Sequence, residues 1–182
     1  GQLLDKNGNK IGNEIQINTH EINNQEHAVV TILNNDNFVV AWHCGNDTTK
    51  PSPNNLINDI RAQIFDGSGN KVGNEFTINE YSAFETGDYR ANSAQDFPDI
   101  TSTSDGGFVV TWCSQWRDDG NNGFGEWGDI YIRRFDENGI PTTEDIVINQ
   151  TIRGDQDDPS VTELSNGNLV VSWQQNLGGG ED

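Results

Sequence analysis

The sequence predicts an all-β chain of repeated four-stranded antiparallel sheets, β-propeller-like blades, with one blade split between the two termini. Three observations carry this. The stretch Ser104-Asp105-Gly106-Gly107-Phe108-Val109-Val110-Thr111-Trp112 has echoes at Asn34 to Trp42 and Ser165 to Trp173, each a polar turn feeding a short apolar strand that closes on tryptophan. Landmarks recur at fixed distances. Asp5 to Asn18, Asp66 to Asn79 and Asp136 to Asn149 are each 13 apart, and Gln25 to Trp42, Gln95 to Trp112 and Gln156 to Trp173 are each 17 apart. Finally, period-two alternation puts Phe108, Val110 and Trp112 on one face of a strand and Val109 and Thr111 on the other, so apolar bulk faces both ways and neighbours are expected on both sides.

Each period holds four strand signals. The first, Ala28 to Leu33, matches Pro98 to Thr101 and Pro159 to Leu164, with proline tolerated at a strand's first residue. The second is the Phe/Leu-Val-Val-x-Trp strand, followed by a sixteen-residue loop at 43–58 or 113–128. The third, Asp59 to Phe65 or Asp129 to Phe135, alternates apolar and polar residues as a half-wet outer strand does. The turns Asp5-Lys6-Asn7-Gly8, Asp66-Gly67-Ser68-Gly69 and Asp136-Glu137-Asn138-Gly139 need φ > 0 at Gly8, Gly69 and Gly139, which hairpin chemistry explains without a metal. The fourth strand is Glu75 to Asn79 or Asp145 to Asn149. Only the Asn-to-Gln link changes length, from 7 to 16 in the middle copy, as a surface loop does.

The phase of the cut follows. Gly1 to Asp5 aligns with Ala62 to Asp66, so the chain opens on a third strand and ends after a second. The expected organisation is one repeat domain over 1–182: half a blade at 1–24, a blade at 25–79, a blade at 95–149 with 80–94 as a loop insertion, and half a blade at 150–182. Propellers usually close with more blades, so the expectation is a larger ring or head-to-tail completion between copies of the chain.

Composition narrows the partners. Hydrophobic residues make up only 32%, yet there are 5 Trp and 8 Phe, so the core is concentrated at the recurring positions. A net charge of -19 repels nucleic acid and anionic lipid, and no run approaches the roughly 18 apolar residues of a membrane span. The chain has no Met and no basic-then-apolar leader, and is read as a piece of something larger. Cys44 and Cys113 occupy non-equivalent repeat positions, which gives a disulfide no geometric support.

Candidate ligands are acidic. Calcium takes six to eight oxygens from carboxylates and carbonyls. Two stretches offer them: Asp118, Asp119 and Asn121 with Glu126 and Asp129, and Asp155, Asp157 and Asp158. Trp116, Phe124 and Trp127 fall in the non-repeated part of a long acidic loop and are the expected contact surface, while Asn46 in Asn46-Asp47-Thr48 is a glycosylation sequon. His20, His27 and His43 recur in no other copy and lack zinc spacing, so they are read as surface residues. No nucleophile-elbow, zinc-protease or phosphate-loop motif occurs.

Three segments resemble a known family. Gln63 to Phe76, Gly154-Asp155-Gln156-Asp157-Asp158-Pro159 and Asp105 to Trp112 are similar to the tandem β-repeats of large secreted surface and adhesin proteins that adjoin calcium-binding RTX, haemolysin-type regions. The resemblance implies an extracellular or cell-surface, non-catalytic module of adhesin or fibre type. Its expected partners are copies of itself and cell-surface glycans, with no nucleic acid and no membrane insertion. The expected function is thus a structural repeat, not an enzyme, joined head to tail by strand complementation; the alternative is a calcium-dependent lectin-like module.

Overall fold

A computed structural model describes residues 1–21, 24–45, 58–80, 94–116, 127–150 and 154–177. Among these there is no helix, and twelve strands form four antiparallel sheets. The first is a pair, β1 (Leu3–Leu4) and β2 (Lys10–Ile11). The second is β3 (Gln25–Ile32), β4 (Phe38–Cys44), β5 (Asp59–Phe65) and β6 (Lys71–Thr77) in sequence order. The third repeats it with β7 (Ala94–Ser102), β8 (Phe108–Trp116), β9 (Trp127–Phe135) and β10 (Ile146–Val147), and the last is a pair, β11 (Asp155–Glu163) and β12 (Leu169–Asn176). Two, four, four and two strands is the division the repeat spacing predicts.

The recurring residues hold each sheet in the same way. Trp42 Nε1 donates to Gln25 Oε1 and Trp112 Nε1 to Gln95 Oε1, both at 2.7 Å, which is why the two stand 17 apart. Asn79 accepts the Ile60 amide and donates to Asp59, and Asn149 does the same with Ile130 and Asp129. Asp5, Asp66 and Asp136 each accept two amides across their turn, and Gly8, Gly69 and Gly139 take φ of 83°, 84° and 80°.

Links between sheets repeat too. Glu75 on β6 accepts the amides of Thr19 and His20, just beyond the framework Asn18, and Asp145 accepts the amide of Glu80, just beyond Asn79. The core lies between the second and third sheets, where Val39, Ala41, Ile60, Ala62 and Ile64 meet Ile100, Phe108, Val110 and Trp112. The opposite face of β4, with Val40 and Trp42, packs on Ile15 and Ile17 of the first pair's connection. Burial of each such side chain contributes about 1.5–3 kcal/mol.

Two details differ from the sequence-based expectation. The second long loop is shorter, because the β8–β9 ladder runs on to Trp116 opposite Trp127. Trp173 is 38% exposed where Trp42 and Trp112 are buried, since among the described residues no third strand pairs with β12. Cys44 and Cys113 are both buried and not joined by a disulfide, in line with their non-equivalent repeat positions.

Candidate functional site

The leading strands of three successive sheets, β3, β7 and β11, stand side by side. Thr31 Oγ1 accepts the Ser102 amide, and Asp99 Oδ2 accepts from Ser160 Oγ at 2.9 Å and from the Val161 amide at 2.8 Å. Each of these strands carries a β-bulge at the same repeat position. Pairing jumps from Glu26↔His43 to Val29↔Ala41, from Asp96↔Cys113 to Asp99↔Thr111, and from Asp157↔Gln174 to Ser160↔Ser172. The bulged residues His27, Phe97 and Asp158 take φ of 52°, 52° and 48°, left-handed values that a non-glycine residue adopts only where the surroundings enforce them. Together the three bulges bound one cleft of about 360 Å³, with His27, Phe97, Asp99, Asp158, Pro159 and Ser160 on its walls.

An acid precedes every bulge: Glu26, Asp96 and Asp157. Across the ladder from them stand His43, Cys113 and Gln174. Burial pushes the Cys113 thiol far up, and its Sγ donates to the Gln156 carbonyl at 3.1 Å. Burial also raises the Asp157 carboxyl above its ordinary value, and repulsion from Asp158 and Asp155 adds to this against the Asp158 amide and the Cys113 thiol. Asp158 itself is exposed and accepts from Gln174 Nε2 at 3.1 Å. In the first copy, Asp96 Oδ1 lies 2.8 Å from His43 Nδ1, and the rings of His27 and His43 are parallel at 6.2 Å.

A second cleft of about 370 Å³ lies where the first pair meets the second sheet, lined by Ile15, Ile17, Val29, Val30, Phe38 and Val40 among others. Among the described residues that line it none has an ionisable side chain.

Of the residues expected from sequence, Asp155, Asp157 and Asp158 are together at the start of β11. Asp155 there accepts the Gly128 amide at 3.2 Å. Asp129 serves the framework, accepting from Asn149. Trp116 and Trp127 form the last ladder pair of β8 and β9. Asp118, Asp119, Asn121, Phe124, Glu126 and Asn46 lie outside the described residues. His43 corrects a reading, being 7% exposed and no surface residue. Sequence reading missed Glu26, His27, His43, Asp96 and Asp99 as a group. The signal was the repeat frame itself, which sets the residue after Gln25 opposite the residue after Trp42.

No family model matches the chain, and no curated protein sequence does. Among solved structures it is similar to an endo-arabinase from Bacteroides thetaiotaomicron, with a TM-score of 0.54 at 15% identity over 93% of this chain and 57% of that one. A match to an α-L-arabinofuranosidase from Lactobacillus brevis has a TM-score of 0.49 at 13% identity, covering 100% of this chain and 61% of that one. The chain thus spans about three fifths of the length of either.

The fold is therefore one that a carbohydrate-acting enzyme carries. This corrects the expectation of a non-catalytic structural or adhesive module, fibre-forming or lectin-like, and the expectation that the chain is no enzyme. The physical reason is a division of labour. The recurring Gln, Trp, Asn and Asp hold each sheet together and are silent about chemistry, whereas the bulge residues change from copy to copy.

Proposed function

We propose that the chain is part of a propeller-like glycoside hydrolase, its four sheets being blades and the cleft between the three bulges its substrate site. The observation that carries the reading is a cleft bounded by three equivalent bulges, with Asp99 and Asp158 on its walls and an acid immediately before each bulge, in a fold shared with an endo-arabinase. Glycoside hydrolysis needs one carboxyl that arrives protonated and a second that arrives ionised. Asp157, raised by burial, fits the proton donor. Asp158, exposed on the bulge beside it, fits the carboxylate that activates water or attacks the anomeric carbon. Phe97 offers an apolar ring edge or face against which a sugar packs. Arabinose-containing polysaccharide is the substrate class we put first, met outside the cell or at its surface.

The test is release of reducing ends from arabinan by the purified chain, beside Asp157→Asn and Asp158→Asn. Each variant is expected to lose about 10²-fold or more of the rate. Because the folded value of Asp157 is raised, its acid form persists above the ordinary carboxylate range, so activity should extend to correspondingly higher pH and Asp157→Asn should abolish that limb. Absence of release from arabinan and from a panel of other polysaccharides, or release untouched by both substitutions, overturns the reading.

A further inference from the structure

We infer that Glu26, His27 and His43 form a binding site for a divalent transition-metal ion of the zinc class, at the rim of the cleft and specific to the first repeat copy. One carboxylate oxygen of Glu26 and one nitrogen of each imidazole lie within 4.8 Å of one another. An ion about 2.0–2.2 Å from each would hold such atoms roughly 3.5 Å apart. Closing the site therefore asks for about an ångström of movement by Glu26 and His27, both exposed, against a buried His43.

The independent observation is the state of His43. More than nine tenths of the residue is buried, yet neither ring nitrogen makes a hydrogen bond. Native structures keep few buried polar groups in that state. Asp96 Oδ1 stands 2.8 Å from Nδ1, off the line of a hydrogen bond but too close for two lone pairs to face each other. A proton on Nδ1 facing that carboxylate would leave the Nε2 lone pair for a metal. A carboxylate behind a ligating histidine is the usual arrangement for fixing tautomer and ring orientation.

The local structure serves the same end. Glu26 and His43 are ladder partners, so their side chains share a face, and the bulge at His27 turns its ring parallel to that of His43. None of this is demanded by the fold. The second and third copies build the same ladder and bulge with Asp96, Phe97 and Cys113, or with Asp157, Asp158 and Gln174. Two imidazoles and one carboxylate suit zinc, copper, iron or nickel, whereas calcium wants an all-oxygen shell.

The inference does not rest on the glycosidase reading and is tested without an activity assay. The purified chain is titrated with Zn²⁺ by calorimetry and with Co²⁺ by visible absorption, in excess Ca²⁺. One equivalent should bind, with the intense Co²⁺ spectrum of a low-coordinate nitrogen site. His27→Phe and His43→Gln, which install the residues found at the same places in other copies, should each weaken Zn²⁺ about 100-fold. Asp96→Asn should weaken it about 10–100-fold. Circular dichroism checks that each variant folds, and His27→Phe at an exposed position keeps the test decisive if His43→Gln does not. Displacement by Ca²⁺, a Co²⁺ spectrum unchanged from the aqueous ion, or His27→Phe binding as the unsubstituted chain does would overturn the site.

Discussion

Trp112 and Trp173 occupy the same place in the repeat and have opposite surroundings. Trp112 is fully buried, donates to Gln95 at 2.7 Å and stacks on Tyr131 of β9 at 5.9 Å. Trp173 closes the apolar part of a strand of the same pattern but is 38% exposed, because among the described residues β12 pairs with β11 alone. Gln156, the partner that the repeat assigns to it, instead accepts from Asn149 Nδ2 at 3.0 Å and donates to the Gly154 carbonyl. A repeat therefore specifies which residue can be core. The next strand decides whether it is.

The comparison is sharpest in stability. Trp112→Ala should cost about 3–5 kcal/mol, a large part of the total for a domain of this size. Trp173→Ala should cost below about 1.5 kcal/mol, in keeping with its partial exposure. Urea denaturation of both variants reads the difference directly. Equal losses would mean that Trp173 is covered in solution and would break the comparison.

Polar partners give a second, smaller contrast. Gln95→Leu leaves the Trp112 Nε1 group buried without its acceptor and should cost about 1–3 kcal/mol. A double-mutant cycle of Gln95→Leu with Trp112→Phe should show coupling of about 1 kcal/mol or more. The corresponding cycle of Gln156→Leu with Trp173→Phe should be near additive, because Gln156 spends its amide on Asn149 and Gly154. Coupling of similar size in both cycles would mean that the third copy closes like the others.

Much of this architecture is legible in the chain because its framework residues act within one period. Asp66 reads as a turn because its carboxylate binds amides two and four residues on, and Gln95 stands at a constant distance from Trp112 because adjacent antiparallel strands fix the separation of the bonded pair. The site is less legible. Asp96 approaches His43 of the preceding sheet, and Asp99 binds Ser160 of the next, so both depend on how sheets stack and not on spacing inside one. Periodicity also misled. It made the three copies look equivalent, whereas their bulge residues, His27, Phe97 and Asp158, differ in chemistry.

The smallest expected effect concerns how the first pair is tied on. Burial tends to raise the Glu75 carboxyl, but the Thr19 amide, the Arg61 guanidinium at 2.8 Å and the His20 amide outweigh it, and the net shift is downward from an ordinary value of 4.5. A lowered folded value means that the unfolded chain takes up the proton first as pH falls. Stability from this contact is therefore fully present above the ordinary glutamate value and disappears as pH drops through the lower folded one. Partial exposure and solvent screening keep the effect modest. Between about pH 7 and about pH 3, urea midpoints of Glu75→Gln should fall less steeply than those of the unsubstituted chain. Backbone exchange should quicken at Thr19 and His20 while β11 and β12 stay unchanged, since Ser160 and Val161 hold that pair through Asp99. Parallel pH curves for the two proteins would show that Glu75 does not anchor the first pair, and the two ends of the chain would then differ in more than which strands they lack.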